Sequence, residues 1–169
     1  FRANRIFFIF EGRSFTYREV YARSARYADF FLHQRQRRIK DGVLGEKDRL
    51  AIGIYQENSP EYIFAAFGAG LSNSVLFAVN TGFRGKTLAN VINQAQISLL
   101  LTTGDPAAEV ENVLERLTTL SRENILITED SGNSGKPDFT QIETAILESE
   151  SKPVRVSRPP MVNTLPVLV

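Results

Sequence analysis

Two hydrophobic patterns alternate along the chain: short apolar runs, and apolar residues spaced three and four apart. The runs are Leu50–Ile54, Val75–Val79, Ile97–Leu101 and Ile125–Ile127. Near-continuous apolar strands of this kind suit a parallel sheet covered on both faces. Between them the helical spacing recurs, in Val20, Ser24, Ala25, Ala28, Phe31 and Leu32, in Leu88, Val91, Ile92 and Ala95, and in Val110, Val113, Leu114 and Leu117. Strands alternating with helices over short connections predict an α/β fold: a doubly wound, mostly parallel sheet flanked by helices, with right-handed crossovers. Ahead of it, Ile- and Phe-rich Arg5–Phe10, a turn at Glu11-Gly12-Arg13 and a return at Ser14-Phe15 predict an N-terminal β-hairpin.

Helix ends are marked by local chemistry. Thr16 at the N-cap and Glu19 at N3 form a capping box, with Phe15 and Val20 in the hydrophobic-staple positions. Ser59 caps the next helix and Pro60 occupies N1, where its missing N–H costs nothing. That helix runs to about Ser72, and Asn73 suits the left-handed residue after it. Thr87 and Asp105-Pro106 read as further caps, and Asp138 with Gln141 as a second capping box for a short helix through Leu147. Residues 148–160 are polar with three prolines and read as a loop, and Leu165–Val169 as a strand. Residues 1–169 therefore read as a single α/β subdomain, without internal repeats or low-complexity tracts.

Composition narrows the function. With 43% hydrophobic and 23% charged residues in 169, the chain can build a sizeable soluble core. A net charge of +1 gives no bulk attraction to nucleic acid or an anionic membrane. The absence of cysteine excludes disulfides and thiol catalysis, and a single histidine argues against a protein-built zinc site. No apolar run approaches the roughly 18 to 20 residues of a membrane span, and no signal segment follows Phe1. Both ends read as cut from something longer. Its expected location is cytoplasmic, or peripheral on a membrane or organelle through regions outside this stretch.

Candidate chemistry is sparse. Gly85-Lys86-Thr87 closes a strand–loop–helix unit, but a Walker loop needs a glycine where Asn80 stands, and the next strand ends in Thr102-Thr103 rather than a magnesium-binding Asp. Asn80 and Gly82 suit a tight turn, which Arg84 is expected to tie by hydrogen bonds. Ser131–Pro137 is glycine- and hydroxyl-rich, but Asp138 follows it and would repel phosphate; a surface linker is the simpler reading. The run from His33 to Lys40 is basic and lies at a helix C-terminus, where cations complement the helix dipole and usually form a solvated face. A membrane-surface or nucleotide-phosphate contact is the functional alternative; single-stranded RNA would need more ring platforms than Tyr27 and its neighbours supply. His33 has no serine or acid partner in sequence, and Glu57, Glu61 and Asp105 are accounted for by turns and caps. No catalytic, cofactor-binding or metal-ligating residue is assigned.

Three strings, in order and spacing, resemble the AMP-forming acyl-CoA synthetases, or adenylate-forming ligases: Phe15–Val20, Asn58–Asn80, and the loop Asn80–Gly85. Asn80-Thr81-Gly82-Phe83-Arg84-Gly85 is similar to the N-T-x-x-R-G loop of the fatty-acid transport protein and carnitine–CoA ligase branch. Lys47-Asp48-Arg49-Leu50 is similar to the family's G-D-R-V strand entry, with Lys for Gly. The resemblance implies the N-terminal part of a large adenylation domain, an incomplete subdomain of that fold. The parent would use ATP, Mg2+ and CoA to convert a fatty acid to its adenylate and then its thioester. The phosphate loop, magnesium carboxylate and C-terminal lysine of the family pattern would all lie beyond Val169, so the fragment alone is expected to be inactive and to bind none of these. Its expected partners are the rest of the adenylation domain, the C-terminal domain and a second copy in a homodimer, with no nucleic acid. Two other readings stay open: a non-catalytic α/β binding or partner domain, and a P-loop nucleotide hydrolase.

Overall fold

A computed structural model describes residues 3–128 and 139–150. Strands β1 (Ile6–Phe10) and β2 (Arg13–Thr16) pair antiparallel around a turn where Glu11 (φ 47°) and Gly12 (φ 79°) are both left-handed. That turn carries the twist that flanking strands need. Helix α1 (Tyr17–Lys40) opens with the capping box read from the sequence. The Thr16 backbone N–H donates to the Glu19 carboxylate at 2.8 Å, and the Glu19 N–H returns to the Thr16 hydroxyl at 3.3 Å. Phe15 and Val20 beside it are buried.

The remaining elements are β3 (Ala51–Tyr55), α2 (Pro60–Leu71), β4 (Val75–Ala78), α3 (Gly85–Gln94), β5 (Leu99–Thr102), α4 (Gly104–Val113), β6 (Ile125–Ile127), β7 (Thr140–Gln141) and α5 (Ile142–Glu150). Strands β3 to β7 form one parallel sheet in the order β4-β3-β5-β6-β7. The chain therefore starts near the middle, steps to one edge and returns to build the other, the doubly wound order with its reversal between β3 and β5. Side chains alternate across the sheet. Ile52, Ile54, Leu99, Leu101 and Leu126 pack against α1, α2 and α5, while Tyr55, Leu100, Ile125 and Ile127 pack against α3 and α4.

Two glycines permit close approach. A Cβ on Gly53 would lie 2.7 Å from a methyl of Leu100 and 2.9 Å from one of Ile97. One on Gly68 would lie 2.6 Å from the Cβ of Tyr27 and 3.0 Å from the carbonyl of Ser24, so this is where α2 crosses α1. At the end of α2, Asn73 takes the left-handed conformation expected of it, with φ 54°.

Several boundaries differ from the sequence reading. Helix α3 starts at Gly85 with Arg84 in the N-cap position, so Thr87 lies inside the first turn and is not a cap. Helix α4 starts at Gly104 after Thr103, placing Asp105 and Pro106 within its first turn. Gln141 pairs with Ile127 as part of β7 and cannot be the N3 residue of a box; Asp138 lies outside the described residues. Helix α5 continues through Glu150, so residues 148–150 are helical rather than the loop expected there, and the rest of 148–160 lies outside the described residues. The Ser131–Lys136 loop and the Leu165–Val169 strand also fall outside the described residues. Among the described residues no helix is long and apolar enough to cross a membrane.

Candidate functional site

In doubly wound sheets ligands settle in the crevice beyond the carboxyl ends of the strands, at the point where strand order reverses. Here that point lies beyond β3 and β5, at Tyr55-Gln56 and Thr102-Thr103. Two knots of polar side chains occupy it.

The first knot ties the loop after β4. Tyr55 is buried under α3, and its hydroxyl donates to the Phe83 carbonyl at 2.6 Å while accepting from the Arg84 guanidinium at 2.8 Å. Burial pushes the Tyr55 hydroxyl pKa up, with Arg84 acting in the opposite direction. Arg84 also donates to the carbonyls of Thr81 and Phe83 and forms an ion pair with Glu109 on α4 at 3.4 Å. Asn80 turns its side-chain carbonyl onto the Gly82 N–H at 2.7 Å, and the Phe83 N–H donates to the Asn80 carbonyl at 3.0 Å. The expected role of Arg84 as the tie of this loop is therefore observed, with Tyr55 as an unforeseen partner. The same bonds use groups that a phosphate cradle would need. A Walker loop works by turning free N–H groups inward, and those of Gly82 and Phe83 are already engaged.

The second knot joins β3, α2 and β6. Gln56 is 5% exposed; its amide donates to the Ser59 hydroxyl at 2.9 Å, and its carbonyl accepts from Thr128 at 2.7 Å. Ser59 caps α2 by accepting from the Tyr62 N–H at 3.2 Å. Thr102 donates to the Tyr55 carbonyl at 2.8 Å, and the Thr128 N–H to the Thr102 carbonyl at 3.1 Å. These hydroxyls hold strand ends in register. Among the described residues no group of three His, Asp or Glu side chains could hold a metal ion.

The basic run resolves into individual tasks. Arg38 is 7% exposed and donates to the Ser98 carbonyl and the Asn124 side chain, each at 2.6 Å, and to Gln34. Burial, with Arg37 adding to it, pulls its pKa down to about 10, which leaves it charged at neutral pH. Arg35 donates to the carbonyls of Glu46 and Asp48, and Arg37 pairs with Asp41 at 3.8 Å. Only part of the run is thus a solvated face. His33, Arg37 and Lys40 line a groove of about 550 Å³ with Glu123 and Glu148, floored by Leu99 and Leu126. That groove lies toward the amino ends of the strands, away from the switch point.

Fold and switch point together define an open, doubly wound α/β unit whose carboxyl edge is tied by internal hydrogen bonds. The sequence matches the AMP-binding enzyme family over residues 1–162, and the chain belongs to that family. Human long-chain fatty acid transport protein 6 is 29% identical over 112 residues, which span 66% of this chain and 17% of that protein. The anthranilate CoA ligase AuaEII, solved with anthranoyl-AMP, superposes with a TM-score of 0.67 at 15% identity, covering 86% of this chain and 25% of that one. A benzoate CoA ligase from Burkholderia xenovorans LB400 gives 0.64 at 17% identity, covering 85% and 25%. At such identities the structural likeness speaks for the fold. The chain spans about a sixth of the length of the curated relatives it matches.

Proposed function

We propose that this chain is the N-terminal portion of the large domain of an AMP-forming fatty-acyl-CoA ligase, and that it serves there as scaffold. The observation that carries the reading is the family match across residues 1–162, supported by similarity to a long-chain fatty acid transport protein. In the proposed reaction a fatty-acid carboxylate oxygen attacks the α-phosphorus of ATP, forming the acyl-adenylate and releasing pyrophosphate. The CoA thiolate then attacks the acyl carbon, the C–O bond to phosphate breaks and AMP leaves. Magnesium would offset charge on the phosphates. Much of such catalysis is electrostatic stabilisation of developing charge, and no residue of this chain is assigned to it.

What these residues supply is rigidity. The knots at Tyr55–Arg84 and Gln56–Ser59–Thr128 fix the carboxyl edge of the sheet, against which the rest of the adenylation domain and the C-terminal domain would complete a site. The test is an assay of the full-length polypeptide with ATP, magnesium, CoA and fatty acids of graded length. AMP and acyl-CoA formed in equal amounts are expected. ADP as product would overturn the AMP-forming reading, and no turnover with any acid would overturn it in favour of a non-catalytic α/β partner domain.

A further inference from the structure

The outer side of the hairpin, the first half of α1 and the second half of α2 enclose a groove of about 420 Å³. Its walls are Phe7, Tyr17, Tyr21, Phe67 and Leu71, which remain between 37% and 62% exposed. They are contiguous: the Phe7 ring meets Tyr17 at 4.9 Å and Phe67 at 5.6 Å between centroids. Ile6 and Ile9 extend the apolar surface along β1, and β1 pairs only with β2, leaving its other edge unbonded among the described residues. Exposed apolar patches of this kind mark interaction sites, and an unpaired strand edge invites a further strand. Ser24 also lines the groove; its hydroxyl is buried and has no hydrogen-bond partner among the described residues. Buried polar groups nearly always have one, so an occupant carrying a polar group would complete the floor.

We propose that this groove is an internal interface, filled in the intact protein by polypeptide lying outside these 169 residues. The inference rests on the reading of the chain as part of a longer ligase. Two observations select this occupant. The relatives are several times longer, since the matched stretch covers only 17% of the transport protein and 25% of the anthranilate ligase. Arg18 lines the groove, and the stretch 5–19 that carries it is mixed in charge, with Arg5, Arg13 and Arg18 against Glu11 and Glu19, whereas a face built for an anionic bilayer would carry basic residues with few acids. A strand for the β1 edge is also what folded protein provides and lipid does not.

The cysteine-free sequence makes the test direct. Tyr21→Cys and Leu71→Cys are placed singly in the full-length polypeptide, with Val43→Cys, 68% exposed on a different surface, as reference. Maleimide labelling at each site is followed by peptide mass spectrometry. Labelling at Tyr21→Cys and Leu71→Cys at least about tenfold slower than at Val43→Cys, unchanged on dilution or on adding detergent, is the expected result. Equal rates at the three sites would overturn the proposal. So would protection lost on dilution, which would assign the groove to a second copy, or protection lost in detergent, which would assign it to lipid. Because the readout is independent of turnover, slow labelling in an inactive polypeptide would support the interface while removing the ligase reading. Fast labelling in an active one would do the reverse.

Discussion

At the scale of single residues, space and desolvation decide more than propensity does. Gly68 and Gly70 sit in the same turn of α2, yet only Gly68 faces another backbone. Alanine is favoured over glycine in a helix by about 1 kcal/mol. Gly70→Ala meets nothing within 4 Å and should be stabilising by about 0.5–1 kcal/mol. Gly68→Ala must push α2 away from Tyr27 and Ser24 and should cost about 1–3 kcal/mol net. Urea midpoints of the two variants, moving in opposite directions, would check this. Arg38 obeys the same logic. Removing it as Arg38→Met relieves a desolvated cation but leaves the Ser98 carbonyl and Asn124 side chain without their donor, and the second effect should win by about 1–3 kcal/mol. Arg38→Lys should recover only part of that, because the guanidinium serves Ser98 and Asn124 with one nitrogen and Gln34 with the other, which a single ammonium nitrogen cannot reproduce. The sequence did hold a signal for this burial: Arg38 falls seven residues after Phe31, on the apolar stripe of α1. The basic character of the whole run masked it.

Elements were most legible where their ends carry their own chemistry. Thr16 with Glu19, Ser59 with Pro60, and Asn73 lie where local rules place them, because each satisfies a backbone group or conformation without help from elsewhere. Thr87 and Gln141 misled because tertiary bonds set those boundaries. Arg84 is drawn out to Tyr55, which starts α3 early, and Gln141 is held by pairing with Ile127. The knots at the switch point were invisible for the same reason: Gln56 meets Thr128 across 72 residues of sequence. A polar-tipped Tyr55 ending an apolar strand was the available hint. The capping box gives a pH prediction. Hydrogen bonds from the Thr16 backbone and then its side chain lower the Glu19 pKa in the folded state. Such a group contributes stability above its unfolded pKa, about 4.3 for Glu, and loses it as pH falls through the lower folded value. Protection of the first α1 amides from hydrogen exchange should therefore drop as pH falls below about 4. Thr16→Ala should cost about 1 kcal/mol at neutral pH and flatten that acid dependence.

For the whole molecule, the parallel sheet and its flanking layers followed from the hydrophobic pattern, the hairpin from an Ile- and Phe-rich run and a turn signal, and the family from three strings in the right order. Strand order did not, since periodicity carries no record of which strand neighbours which. Function is legible here mainly through kinship: the described residues build a framework whose polar groups are spent on holding strand ends and loops. The central claim is that this framework does not itself bind the nucleotide. Isothermal titration of magnesium-ATP into the 169-residue chain, beside the full-length polypeptide, tests it most directly. Saturable heat from the full-length polypeptide and none from the chain is the predicted result. Saturable binding by the chain would contradict the account and make the loops at Asn80–Thr87 and Ser131–Lys136 phosphate sites in their own right.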